Sequence, residues 1–170
     1  MKKIINFQSK KEFVRITWKD PTILFDLEGI LVVSVFAPTL HPEAHQVFQQ
    51  IKKEDVFKQI ALWTCIDSLS AKEILEQHAL LQYFDYVITS NNCPRRIVNG
   101  NWTKSSFGLP PSEHTKDLTV LPGEPEQKVL IENNRDYGFP KGRVVYLASF
   151  ESREDDHSLI RGYRAARLLL

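Results

Sequence analysis

Acidic and amide side chains follow two apolar runs of this sequence, at places where they could act together. Asp26 and Glu28 follow the first run, and Glu132 and Asn133 follow a later one. Clustered carboxylates repel each other unless protons or a divalent cation neutralise them, and hard oxygen ligands suit Mg²⁺. We therefore predict a magnesium site that draws on Asp26, Glu28, Glu132 and Asn133.

Such a cluster could catalyse the transfer of a phosphoryl group. With Mg²⁺ bound, one carboxylate could attack phosphorus and a second could exchange a proton with the leaving group and with water. A nearby lysine could neutralise the transferred oxygens. Lys116 is the candidate, because its segment precedes the Glu132 strand.

Each of these residues also has an ordinary structural explanation. Asp26 and Glu28 could belong to a simple turn. Glu132 could cap the loop after its strand, and Thr64, which follows the apolar Trp63, could cap the next helix. Lys116 could be a solvated surface lysine.

The elements that must position these side chains alternate between short apolar runs and stretches with helical spacing, which is typical of βαβ units. We predict helices over about 42–51, 68–79 and 155–169. We predict buried strands at Thr22–Phe25, Ile60–Trp63, Tyr86–Ser90, Lys128–Ile131 and Arg143–Leu147. The pattern favours an α/β fold with a doubly wound, Rossmann-like parallel sheet, in which ligands bind beyond the carboxyl ends of the strands.

A small antiparallel insert is expected between the third and fourth strands, over about 86–110. Asn99-Gly100 between strand-like flanks is a strong hairpin signal. Arg95, Arg96, Trp102 and Phe107 make this insert a candidate surface for substrate recognition. We expect one domain over residues 1–170, with its core at about 20–165 and no large cap.

Several segments together resemble the haloacid-dehalogenase superfamily of aspartyl phosphatases and, within it, the FCP/SCP group of protein phosphatases. The similar segments are Phe25–Leu31, Leu62–Thr64, Lys116–Thr119 and Val129–Asn133, with His41-Pro42-Glu43 where the group usually has Arg-Pro-Gly. They occur in the family's order and on the expected elements. The resemblance covers about residues 20–165.

The resemblance implies a role for each candidate residue. Asp26 would be the nucleophile and Glu28 the acid that protonates the leaving oxygen. Thr64 and Lys116 would hold the phosphoryl group. Asp26, the backbone carbonyl of Glu28, and Glu132 or Asn133 would surround Mg²⁺. The substrate would be a phosphoprotein or phosphopeptide, since no large cap covers the crevice.

Two departures from the family pattern affect residues that the resemblance places in the active site. Glu28 and Glu132 stand where the family has Asp, and each carboxylate is about 1.5 Å longer. Ile30 replaces the usual Thr. An active phosphatase, a catalytically silent domain that binds a protein partner, and a phosphatase or phosphotransferase of small molecules are therefore all open.

The amino-acid composition limits the classes of binding partner that we expect. Twenty-two Lys and Arg oppose 21 Asp and Glu, so the basic excess of a nucleic-acid-binding protein is missing. We find no run of 18 apolar residues and no signal-peptide core, and we expect a cytoplasmic protein without a membrane span. Cys65 and Cys93 fit buried thiols in a reducing compartment. Oligomeric state is not legible in the sequence.

Overall fold

A five-stranded parallel sheet forms the centre of the molecule in a computed structural model, which describes residues 18–90, 97–98, 101–102, 116–135 and 137–170. The described strands are β1 (Thr22–Phe25), β2 (Gln59–Trp63), β3 (Tyr86–Ile88), β4 (Ile97–Val98), β5 (Asn101–Trp102), β6 (Lys116–Asp117), β7 (Lys128–Glu132), β8 (Gly138–Phe139) and β9 (Val144–Tyr146). The central sheet has the order β3-β2-β1-β7-β9, and all its neighbouring strands are parallel. The predicted α/β fold is confirmed.

Three described α-helices pack on one face of this sheet. They are α1 (Ala44–Glu54), α2 (Ser68–Gln77) and α3 (Ser158–Arg167). In α1 the apolar residues recur every three or four positions, so that Ala44, Val47, Phe48 and Ile51 share one face and are fully buried. They join Leu75 of α2 and Tyr163 of α3 in one apolar core.

The other face of the sheet is covered differently. Trp18, Leu118 and Leu121 pack there against alternate strand residues such as Leu24 and Leu130. Because both faces are covered, the central strands consist of nearly continuous apolar residues instead of an alternating pattern. That burial holds the carboxyl ends of the strands in fixed positions.

The expected hairpin is present as an antiparallel pair of β4 and β5, with Ile97 opposite Trp102 and Val98 opposite Asn101. Its turn at 99–100 lies outside the described residues, as do Cys93, Arg95, Arg96 and Phe107. Within the described ranges, no helix has the length and apolar character needed to cross a bilayer.

Candidate active site

The strand order reverses between β1 and β7, and this switch point places two acidic residues side by side. Phe25 at the end of β1 pairs with Ile131 of β7. The next residues are Asp26, whose N–H donates to the Ile131 carbonyl at 3.0 Å, and Glu132. Crevices at such a reversal, beyond the carboxyl ends of the strands, are the usual ligand sites of open α/β sheets.

Lys116 joins the two acids from a separate strand pair. The parallel pairing of β6 with β8 sets its backbone, and its N–H donates to the Tyr137 carbonyl at 2.5 Å. Its Nζ lies 2.8 Å from Asp26 Oδ1 and 2.6 Å from Glu132 Oε2. Because Lys116 is 0% exposed, the explanation of this residue as a solvated surface lysine is wrong.

Glu132 is also fully buried, and both of its oxygens are engaged. Oε2 accepts from Lys116, while Oε1 accepts from the N–H groups of Asn133 and Asn134 at 2.9 and 3.0 Å. Glu132 thus caps the loop after its strand and holds Lys116 at the same time. It is not among the residues that line the cleft described below.

Three buried ionisable groups therefore share one site, with one net negative charge when all are ionised. Burial raises the pKa of Asp26 from 3.8 to about 7, with Lys116 opposing the rise and Glu132 adding to it. Burial alone would lower the pKa of Lys116, but Asp26 and Glu132 raise it above its usual 10.5. The raised pKa of Lys116 keeps the lysine charged near neutral pH, whereas the raised pKa of Asp26 brings the titration of the buried cluster towards neutral pH.

An open cleft of about 430 Å³ lies directly over Asp26. Eight residues line it: Asp26, Glu28, Thr64, Cys65, Ile66, Asn133, Asn134 and Tyr137. Sequence reasoning proposed Asp26, Glu28, Thr64 and Asn133 for the site, and the structure brings these four together. Lys116 and Glu132 lie beneath them.

The other four lining residues were not proposed for the site from the sequence. Cys65 and Ile66 directly follow Thr64, and Asn134 directly follows Asn133, so their positions could have been inferred from their neighbours. Cys65 was expected to be buried, but it is half-buried and lines the cleft. Tyr137 carries no sequence signal, because a turn after β7 brings it back to the site.

Thr64 is not the cap of α2. The side chain of Asp67 accepts from the N–H groups of Leu69 and Ser70 at 2.9 and 3.0 Å and so caps the helix. The Thr64 N–H donates to the Ile88 carbonyl, which fixes the residue, while its buried side chain lines the cleft. The cap explanation for Thr64 is wrong, and Thr64 remains a candidate for contact with a ligand.

The tight turn after β1 positions Glu28. Leu31 and Val32 both donate to the Leu27 carbonyl, at 2.9 and 3.0 Å. Glu28 is exposed, and its Oε1 accepts from the Val35 N–H at 3.3 Å.

Gly29 lies in the left-handed region, with φ +75°, and the amide of Asn133 packs directly on it. The Asn133 Nδ2 donates to Ser149 Oγ at 2.9 Å. Only a residue without a Cβ leaves room for Asn133 in this position.

Solved structures that are similar to this chain include two of low sequence identity. Fcp1, an essential RNA polymerase II CTD phosphatase, is 13% identical, with a TM-score of 0.55 over 86% of this chain and 49% of that one. A Thermotoga maritima protein provisionally identified as a β-phosphoglucomutase is 14% identical, with a TM-score of 0.49 over 83% of this chain and 90% of that one. No protein-family model and no curated protein matches the chain. The likeness to Fcp1 is one of fold.

Proposed function

We propose that this chain is a Mg²⁺-dependent phosphatase of the haloacid-dehalogenase type, in the FCP/SCP-like group, that works through an aspartyl phosphate. The observation that carries the proposal is Asp26 at the floor of an open cleft, with its Oδ1 held by Lys116 and the Leu27 N–H, each at 2.8 Å. Oδ2 would be the nucleophilic oxygen. The fold shared with a CTD phosphatase supports this reading, and the motifs Phe25–Leu31 and Lys116–Thr119 agree with it.

The residues at the cleft suit a sparsely ligated Mg²⁺. The described part of the chain contains no group of three or more His, Cys, Asp or Glu poised around a metal. Mg²⁺ needs only one or two carboxylates when substrate phosphate and water complete its shell. Asp26, the backbone carbonyl of Glu28 and the side chain of Asn133 would hold it, and the engaged oxygens of Glu132 favour Asn133 as the ligand from that loop. When bound, the cation would neutralise charge on the phosphoryl oxygens.

The reaction divides into two steps at Asp26. Oδ2 attacks phosphorus as the bond from phosphorus to the leaving oxygen breaks, and Glu28 gives that oxygen a proton. Water then attacks the same phosphorus as the bond from phosphorus to Asp26 Oδ2 breaks. Glu28 takes the water proton, and inorganic phosphate leaves with the Asp26 carboxylate restored. Thr64 donates to the phosphoryl group, while Lys116 orients Asp26 and offsets negative charge from below.

Phosphoprotein substrates fit the shape of the cleft. Its mouth is open, and the described residues include no large cap that would enclose a small molecule. A phosphorylated side chain on a loop or tail could therefore enter from outside. Only the phosphate of the substrate protein would reach Asp26.

The test is hydrolysis of phenyl phosphate by the purified chain, with Mg²⁺ and with a chelator, from pH about 5 to about 8. We expect turnover that requires Mg²⁺ and is lost in Asp26→Asn, because the amide is a poor nucleophile. Turnover that survives Asp26→Asn would contradict the mechanism. Binding of a phosphonate without any turnover would instead indicate a catalytically silent binding domain.

A further inference from the structure

The cleft is a slot with Asp26 between two walls. In the sheet β1 lies between β2 and β7. Cys65 and Ile66, after β2, and Tyr137, after β7, all line the cleft. Because β2 and β7 flank β1 on opposite sides, we infer that these residues approach the cleft from opposite sides. Asp26 follows β1 and occupies the floor between them.

Tyr137 is a fixed part of this slot. Its carbonyl accepts from the Lys116 N–H at 2.5 Å, and its own N–H donates to the Asn134 carbonyl at 3.2 Å. Its backbone is thereby tied to two segments of the site. Contact between a ligand and Tyr137 therefore requires no ordering of this backbone, which avoids part of the entropic cost of binding.

Three of the side chains that line the cleft, Cys65, Ile66 and Tyr137, are apolar or polarisable, whereas its acidic and amide lining residues are polar. The branched aliphatic chain of Ile66 and the sulfur of Cys65 suit contact with a flat apolar group. The Tyr137 ring suits stacking or edge contact with another ring, at centroid separations of about 4.5–7 Å. A serine or threonine phosphate presents only one or two carbons beside phosphorus, whereas an aryl phosphate presents a whole ring.

The size of the cleft is consistent with such a group. At about 430 Å³ it falls in the lower half of the range for small-ligand sites, roughly 300–1,000 Å³. A phosphoryl group over Asp26 and Thr64 leaves the space between Ile66 and Tyr137 for the group that carries it.

We propose that the slot selects aryl phosphate monoesters, phosphotyrosine among them, over alkyl phosphates, with Tyr137 as the specificity-determining residue. The inference rests on the proposed function for its phosphoryl site. It goes further by naming the leaving group that the walls recognise.

Phosphonates test the inference without requiring turnover, because their bond from carbon to phosphorus is not hydrolysed. Calorimetric titration of the full chain with phenylphosphonate and with methylphosphonate gives the ratio of the two affinities. We expect wild type to prefer the phenyl compound by about three- to tenfold. Tyr137→Phe should keep this ratio of affinities, because the ring remains. Tyr137→Leu should lower the ratio, because the aromatic contact is lost. The backbone contact with Lys116 persists in both variants.

Tyr86→Leu is the matched control, because Tyr86 stacks on Trp18 and does not line the cleft. It should keep the wild-type ratio. Equal affinities in wild type, or an unchanged ratio in Tyr137→Leu, would overturn the inference. If the chain prefers the phenyl compound but hydrolyses no phosphate ester, the proposed phosphatase function is wrong and the proposed selectivity for aryl groups still holds.

Peptides distinguish the sources of the aryl phosphate. A phosphotyrosine peptide should bind or turn over at least threefold better than the phosphoserine peptide of the same sequence. Phenyl phosphate should show the same dependence on Tyr137. If the phosphotyrosine peptide binds or turns over better than phenyl phosphate, the substrate is a protein. If phenyl phosphate binds or turns over better, the substrate is a small aryl phosphate. A preference for phosphoserine would overturn the inference.

Discussion

Glu132 connects the buried Lys116 ammonium, which also pairs with Asp26, to the loop that follows β7. One of its oxygens holds the Lys116 ammonium, and the other accepts from the two N–H groups that begin the next loop. The extra methylene relative to Asp therefore has a structural use in this chain. It lets a residue anchored at the end of β7 span from the lysine to its own loop.

Shortening this side chain should cost stability. We expect Glu132→Asp to lower the free energy of unfolding in urea by about 1–3 kcal/mol, because the carboxylate retreats by about 1.5 Å and cannot keep all its partners. Glu28→Asp is the matched control, since the same methylene is lost from an exposed side chain, and it should change stability by at most about 0.5 kcal/mol. Equal losses in the two variants would contradict the role given to Glu132.

The sequence predicted which candidate residues follow strands, but it did not predict how deeply some of them are buried. Asp26 and Thr64 stand directly after apolar runs, so their places could be predicted from the topology of a parallel sheet. The burial of Lys116 could not, because it depends on the β6 and β8 pairing, which is short and distant in sequence. Tyr137 was missed for the same reason.

The turn after β1 depends on one glycine. Gly29 has a positive φ, and a Cβ there would clash with the Asn133 amide. We expect Gly29→Ala to lower the free energy of unfolding by about 1–3 kcal/mol and to weaken Mg²⁺ binding, because both the turn and Asn133 must move.

Gly142 provides the comparison, since a Cβ at that position meets no atom within 4 Å. Gly142→Ala should leave urea stability and Mg²⁺ affinity within error of wild type or slightly raise stability. If Gly29→Ala behaves like Gly142→Ala in both measurements, the turn does not position Asn133.

Helices and strands were the most predictable elements. The expected strand Thr22–Phe25 is β1 residue for residue, and the apolar spacing of 44–51 predicted α1. Boundaries set by side-chain caps were less predictable. The predicted helix over 68–79 begins at residue 68, but its cap is Asp67 and not Thr64, and residue 79 lies beyond its end.

For the molecule as a whole, burying Asp26 makes stability depend on pH. In a chelator, burial holds the pKa of Asp26 at about 7 in the native chain, whereas the ordinary pKa of this carboxyl in the unfolded chain is 3.8. The native state thus binds more protons in this window, and its stability falls as pH rises through it. The stabilising contribution is complete only below the unfolded pKa.

We expect the free energy of unfolding to drop by an amount on the order of 1–4 kcal/mol between pH about 4 and about 8, relative to Asp26→Asn. Because other titrating groups are common to both proteins, the difference between their urea curves reports Asp26. Identical pH slopes in wild type and Asp26→Asn would contradict the raised pKa.

Trapping the covalent intermediate tests the central claim most directly. Glu28→Gln removes the base for the water step, and 4-nitrophenyl phosphate supplies a leaving group that needs no proton from Glu28, so that acid quenching during turnover of this ester with Mg²⁺ should capture the phosphorylated chain. Peptide mass spectrometry should then find one phosphoryl group on Asp26, removable by hydroxylamine and absent from a parallel sample in which Asp26→Asn is added. Hydrolysis that proceeds with no phosphoryl group on Asp26, or with the group on another residue, would contradict the account.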